Sequence, residues 1–113
     1  MSTPQQVALL DARKGVTLFR KLGTPVLGGV LNMSHFVCPG SPDHPHFVFG
    51  RPEPFEKACS DMSMDELARV PLEPAVSEQS DKGAPLAVAS VPDSAAAKAF
   101  HALADKVWDK IAT

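Results

Sequence analysis

The chain has 113 residues, with 11 Lys and Arg against 13 Asp and Glu and a formal net charge of -2. That length holds one small domain or a piece of a larger one, and without a basic excess to neutralise phosphates, nucleic acid is excluded as the main partner. Hydrophobic residues at 44% and charged residues at 21% are ordinary globular usage, which excludes a disordered charged tail.

No apolar run approaches the roughly 18 residues of a membrane span. Two cysteines, Cys38 and Cys59, cannot staple a disulfide-rich secreted scaffold. The opening Met1-Ser2-Thr3-Pro4-Gln5-Gln6 lacks a basic region followed by an apolar core, so no secretory signal is read there. Arg13, Lys14, Arg20 and Lys21, with Asp11 the only acid before Asp43, give the basic amphipathic look of a mitochondrial presequence. The same pattern fits a packed helix, which is the reading taken.

Thr3, Pro4 and Gln6 predict a helix start, with Thr3 as N-cap, Pro4 as first helical residue and Gln6 as capping-box partner. Ala8, Ala12, Val16 and Phe19 recur at helical spacing and form the predicted buried stripe. Gly15 lies mid-helix, where it costs ~1 kcal/mol relative to Ala. Gly23 is the stop. Pro25 to Leu31 is a short apolar run bounded by turn formers, the pattern of a strand buried on both faces. A long helix followed by such a strand predicts an αβ unit of a parallel sheet.

Residues 35–54 are rich in Pro and His, and little regular structure is expected there. Phe47-Val48-Phe49 reads as an edge strand or a cover over apolar surface. Residues 55–65 are weakly helical, 67–72 reads as a second strand ended by Pro71, Pro74 to Lys82 as a short helix stopped by Gly83, and Pro85 to Val91 as extended. Ser94 caps a last helix whose face is Ala96, Phe100, Leu103, Val107 and Ile111, joined by Ala104 and Trp108. Burial of Phe100 and Trp108 is expected to contribute several kcal/mol at ~25 cal/mol per Å².

No G-x-x-x-x-G-K-[ST] phosphate loop, G-x-G-x-x-G or G-x-S-x-G elbow occurs in the 113 residues. Nothing in the sequence places a cysteine beside a histidine as a nucleophile–base pair. His35, Cys38, His44 and His46 fall within twelve residues and are zinc or iron–sulfur ligand types. Their spacing matches no standard zinc finger, so a surface loop with scattered histidines stands beside the metal reading.

Three segments are more specific: Ser2 to Gly15 (STPQQVALLDARKG), Pro25-Val26-Leu27-Gly28, and Asn32-Met33-Ser34-His35-Phe36-Val37-Cys38-Pro39. Phe49-Gly50, Val70-Pro71-Leu72-Glu73-Pro74, Ser80 to Pro85 and Pro92-Asp93-Ser94 follow in the same order. The chain resembles the Mrp and nucleotide-binding-protein-like (NUBPL) family of iron–sulfur P-loop ATPases, over the C-terminal half of that family's domain. The resemblance implies an α/β fold, half of a doubly wound parallel sheet related to the MinD and ParA ATPases. Residues 1–113 would be a partial P-loop NTPase domain lacking the phosphate-loop half, with 35–54 as its cluster-motif loop.

The resemblance also implies ATP and a labile 4Fe-4S cluster as cofactors. It implies delivery of that cluster to apo iron–sulfur proteins, respiratory complex I in the mitochondrial branch. A homodimer or a full-length homologue is the implied assembly, in the mitochondrial matrix or otherwise the cytoplasm.

Two departures follow. The phosphate loop and magnesium-binding carboxylates belong to the absent half, so this chain alone is not expected to hydrolyse ATP. The family's Cys-Pro-x-Cys reads Cys38-Pro39-Gly40-Ser41 here, and a dimer would offer two thiolates from this motif instead of four. His44, His46 and Cys59 are the additional ligand candidates beside Cys38. A base-binding corner is expected at Asn32, whose amide both donates and accepts, with Pro71, Leu72 and Glu73 beyond the second strand. The alternative for Asn32 is a cap on the following turn.

A parallel sheet without its central strands exposes edges and apolar faces, so the isolated chain is expected to be marginal, aggregation-prone or dimeric. Two other functions compete with the cluster carrier. One is a non-catalytic module docking on a full-length homologue through the sheet edge. The other is a small metal-binding protein using His35, Cys38, His44 and His46.

Overall fold

A computed structural model describes residues 1–38, 44–87 and 94–112. The elements run α1 (Gln6–Lys21), β1 (Gly29–Leu31), β2 (Phe36–Val37), β3 (Pro45–His46), α2 (Glu53–Asp61), β4 (Glu66–Arg69), α3 (Pro74–Asp81) and α4 (Ala95–Ile111). β1 and β4 pair in parallel, with Val30 opposite Ala68 and Leu31 opposite Arg69. α2 lies between them in the chain, so β1–α2–β4 is the crossover unit that parallel strands require. On the other edge of β1, Ser2 forms a parallel bridge with Leu31. Its N–H donates to Val30 O at 2.9 Å and its carbonyl accepts from Asn32 N at 2.7 Å.

Successive strand residues face opposite sides, and β1 divides the core accordingly. Leu31 packs with Leu9 of α1 and Phe55, Ala58 and Cys59 of α2. Val30 packs with Leu67, Val70, Leu86 and Ala96, against which α4 lays Phe100, Leu103 and Val107. Helices therefore cover both faces of the parallel pair. Lys106 Nζ donates to Leu67 O at 2.9 Å, and Lys110 Nζ lies 2.6 Å from Asp65 Oδ2, fastening α4 along β4.

Glycine at position 28 is what lets β1 meet β4. A Cβ there would stand 2.6 Å from the Asp65 carbonyl oxygen and 2.7 Å from Leu67 Cγ. Three helices end in the same left-handed motif. After α1, Gly23 at φ 75° sends its N–H to Arg20 O, and Thr24 N reaches Phe19 O. After α3, Gly83 and Ala84 do the same to Ser80 and Gln79. After α2 the left-handed position is Ser63, at φ 52°, with bonds to Ser60 O from Ser63 N and to Cys59 O from Met64 N.

Several sequence expectations are corrected. α1 starts at Gln6 behind Gln5, and Thr3 is not its cap; Thr3 Oγ1 is buried without a hydrogen-bond partner among the described residues. In the expected stripe Ala8, Ala12 and Val16 are half-buried, while Leu9 is the buried residue of α1 and Phe19 is 48% exposed. The first strand is only Gly29–Leu31, and 25–28 lead into it. Phe47-Val48-Phe49 is no strand: the strand is Pro45–His46, and 48–49 form a turn. Residues 86–87 are turn rather than extended, and 88–91 lie outside the described residues. Ser94 does cap α4, its Oγ accepting from Ala97 N at 3.0 Å. Trp108 and Ile111, expected in the core, are 66% and 57% exposed.

Candidate functional site

The C-terminal ends of β1 and β4 carry most of the residues singled out from sequence. The two chains stay side by side past the strands: Ser34 N donates to Val70 O at 3.0 Å, and Leu72 N to His35 O at 2.7 Å. Phe36 then bridges Leu72 in parallel. Asn32 and the 70–73 segment thus sit at one end of the parallel pair, the end where open α/β sheets place their ligands.

Asn32 is half-buried, and its Oδ1 accepts from Met33 N at 2.9 Å, where Met33 takes the left-handed φ of 52°. Its carbonyl oxygen is therefore held by the turn, and its amide hydrogens remain as donors. Pro71 is buried, and Leu72 and Glu73 are half-buried. Glu73 Oε2 accepts the Ser94 hydroxyl at 2.6 Å, so one carboxylate oxygen is committed to the start of α4.

Thr3 was read from sequence only as a helix cap. Here it lines the same surface hollow as Ser2, Asp11 and Asn32, with its buried hydroxyl unpaired among the described residues. No local sequence signal marks it, because Ser2 meets β1 only as an isolated bridge to Leu31.

From this corner the β2–β3 hairpin rises. β2 and β3 are antiparallel, with Phe36 opposite His46 and Val37 opposite Pro45. Continued by one step, that register sets Cys38 opposite His44, and directly opposed residues share one face of a hairpin. Cys38, His44, Phe36 and His46 therefore belong to the same face. Cys38 is half-buried, and His44 and His46 are exposed. Ser41 lies outside the described residues. Among the described residues no three His, Cys, Asp or Glu side chains converge on a point that could hold a metal ion.

Cys59 is elsewhere. It sits on α2 at 4% exposure, its Sγ against Gly29 at the opposite end of β1 and packed with Phe55. Burial pushes its thiol pKa up, with the Glu66 carboxylate adding to the shift. Cys38 and His44 lie one residue past the paired hairpin residues and His46 on them, while Cys59 stands apart in the core.

His35 is half-buried between the two sites, with Ser34 Oγ 2.5 Å from its Nδ1. Burial lowers its pKa below the ordinary histidine value, and the Arg69 guanidinium lowers it further. Arg69 is itself gripped by Glu66 and by Glu56 of α2, and its pKa is raised by them.

A family profile described as ParA, NUBPL iron-transfer P-loop NTPase, matches residues 1–108. An "Iron-sulfur cluster carrier protein" of Synechocystis is 44% identical over 111 residues, covering 98% of this chain and 31% of the relative. The mouse "Iron-sulfur cluster transfer protein NUBPL" is 44% identical over 107 residues, covering 95% of this chain and 33% of the relative. The chain thus spans about a third of the length of the curated relatives it matches. Among solved structures it is similar to the MinD ATPase of Pyrococcus horikoshii in complex with Mg-ADP, with a TM-score of 0.74 and 29% identity over 99% of this chain and 40% of that one. The MinD ATPase of Pyrococcus furiosus gives a TM-score of 0.71 at 30% identity. The fold is that of part of a P-loop NTPase of the MinD type, a parallel sheet flanked by helices.

Proposed function

The chain belongs to the family of NUBPL iron-transfer P-loop NTPases, and on that premise we propose that it is the cluster-holding portion of an iron–sulfur cluster carrier that passes 4Fe-4S clusters to apoproteins. The observation that carries this reading is Cys38 at the end of β2, on a hairpin that springs from the C-terminal end of the parallel pair. A thiolate there reaches solvent and an incoming protein, whereas a ligand in the core, such as Cys59, would not.

The cluster is cargo on this reading. Cys38 binds it as thiolate, and His44, opposite Cys38 in the hairpin register, supplies a second donor of a kind that ligates iron in some clusters. His46, two residues along on the same face, is the reserve donor. Two copies of the chain would then offer two thiolates and two imidazoles to one bridging cluster. Transfer is ligand exchange: a thiolate of the apoprotein displaces the Cys38 thiolate from iron, with no change in oxidation state. Asn32, Pro71, Leu72 and Glu73 form the corner that would contact the base of a bound ATP, with Thr3 beside Asn32. One relative, the Arabidopsis "Iron-sulfur protein required for NADH dehydrogenase, mitochondrial", supports a mitochondrial setting and respiratory complex I as recipient.

Anaerobic reconstitution of the purified chain tests the reading. About two irons and two sulfides per chain are expected for a 4Fe-4S cluster shared by two copies. The cluster is lost in Cys38→Ala and weakened in His44→Ala, while Cys59→Ala retains it. Iron at background level would overturn the proposal.

A second reading is a non-catalytic module that docks on a longer homologue through the edge of β1 that Ser2 alone pairs among the described residues. The parallel bridge from Ser2 supports it, because it marks where a further strand fits. Co-purification with a full-length relative, abolished by a proline at Val30, is the test.

A further inference from the structure

The hairpin brings a donor set that differs from an all-thiolate one. Of the four histidines, His35 is half-buried with its Nδ1 2.5 Å from Ser34 Oγ, and His101 lies on α4. His44 and His46 are exposed on the hairpin. Directly opposed residues of an antiparallel pair keep their Cβ atoms about 4.5–5.5 Å apart, whereas diagonal neighbours stand about 7–8 Å apart. Phe36 opposes His46 and Val37 opposes Pro45, so one further step makes His44 the opposed partner of Cys38 and His46 the diagonal one. His44 is thus the imidazole nearest the Cys38 thiol. The other thiol of the chain, Cys59, is 4% exposed in the core. Each chain therefore brings one thiolate to the hairpin.

Exchanging a thiolate for an imidazole has a definite electrostatic sign. A thiolate on iron carries one negative charge, and a neutral imidazole carries none. A cluster shared by two copies would hold two thiolates where the four-cysteine set holds four, and so would lose two negative charges. A less negative centre accepts an electron more readily, which is the sense in which histidine ligands raise the potential of Rieske centres. The imidazole is also the weaker hold, because soft thiolates are the ligands that iron–sulfur clusters select.

Taking the carrier reading as premise, we propose that His44 makes the cluster of this chain a mixed thiolate–imidazole centre. Its reduction potential lies above that of an all-thiolate centre, and His44 is the ligand that leaves first on transfer. In that first exchange an apoprotein thiolate forms a bond to iron as the iron–nitrogen bond to His44 breaks. The imidazole departs neutral with its electron pair, and no iron changes oxidation state. Cys38 keeps hold of the cluster meanwhile, so the cargo stays bound between the first exchange and the second.

The test uses the 113-residue chain labelled with nitrogen-15 at histidine, reconstituted anaerobically and desalted free of small thiols. Pulsed EPR of the reduced cluster reads the histidine coupling, and a dye-mediated titration reads the midpoint potential. A histidine nitrogen coupling is expected in the parent chain. In His44→Cys the coupling should be lost, the midpoint potential should shift downward, and transfer to an apo-ferredoxin should slow. His101→Gln should retain the coupling and the parent potential. A cluster without histidine coupling, or one whose coupling and potential survive His44→Cys, would overturn the proposal and leave the carrier reading standing. Transfer from His44→Cys as fast as from the parent would overturn the order of departure. Absence of any cluster from the parent chain would overturn the carrier reading and this proposal with it.

Discussion

Glu73 and Ser94 are joined by a hydrogen bond of 2.6 Å that ties the loop after β4 to the first turn of α4, 21 residues further on. The same Ser94 Oγ accepts from Ala97 N, so one hydroxyl both caps the helix and docks it. Ser94→Ala is expected to cost about 1–2 kcal/mol, since it removes the cap and leaves the Glu73 carboxylate short of a donor. Glu73→Ala should cost less, because the cap bond to Ala97 N survives. Urea unfolding of both singles and the double variant should give a coupling energy of at least ~0.5 kcal/mol. Strict additivity would mean that the two side chains act independently.

Gly28 and Gly15 should respond in opposite directions to alanine. At Gly28 the new methyl would collide with the Asp65 backbone carbonyl, which also accepts the Gly29 N–H at 2.8 Å. Backbone cannot rotate away, so a loss of about 1–3 kcal/mol is expected. At Gly15 nothing stands within 4 Å of a Cβ, and Gly15→Ala should raise stability by up to ~1 kcal/mol through helix propensity. Thermal melts of the two variants, recorded beside the parent chain, check the pair.

How far the sequence disclosed these features depends on whether the deciding physics is local. The Ser94 cap and the Gly23 and Gly83 stops are local and were readable. Ser63 was not, because serine seldom takes the left-handed position that ends α2. α2 begins between Pro52 and Pro54, which look like loop formers, yet proline is tolerated in a helix's first turn. β3 was hidden for the same reason, since Pro45 fits only an edge strand.

Trp108 was misplaced by its angle on the helix. The packed face of α4 is Ala96, Phe100, Leu103 and Val107, and Trp108 stands about 100° round from Val107, to the side of that face. Lys106 and Lys110 hold the same turns to Leu67 and Asp65. At the candidate site, the spacing of Cys38, His44 and His46 was visible. Which of them face each other depends on the hairpin register, and a Pro-rich stretch does not announce that.

The two cysteines should differ sharply as reagent targets. Cys38 is partly open at the hairpin, whereas Cys59 is enclosed by Phe55 and Gly29 and its thiolate is disfavoured by burial. Titration with a disulfide reagent should modify one thiol quickly in the native chain and the second only as denaturant unfolds it. Cys38→Ser should remove the fast phase. Fast modification of Cys59 would place that residue within reach of a cluster and would reopen it as a ligand.

His35 sets the expected acid response. Burial lowers its folded pKa below the ordinary value, and Arg69 lowers it further. The unfolded chain therefore takes up a proton on His35 before the folded chain does. The sign follows from linkage: above about pH 6.5 neither state is protonated and nothing is lost. As pH falls below that value the unfolded state gains stability, and the loss levels off once pH passes below the depressed folded pKa. Protonation would also leave Nδ1 able only to donate toward Ser34 Oγ. Asp61, held down by Lys57 and Arg13, and Asp65, held down by Lys110, act in a separate and lower window. Their contribution is present above the ordinary carboxylate pKa and is lost as pH falls through their lowered folded values. Urea midpoints measured between pH 7.5 and 5 should therefore fall for the parent chain and stay level for His35→Gln. An equal fall in both would assign the acid sensitivity to groups other than His35.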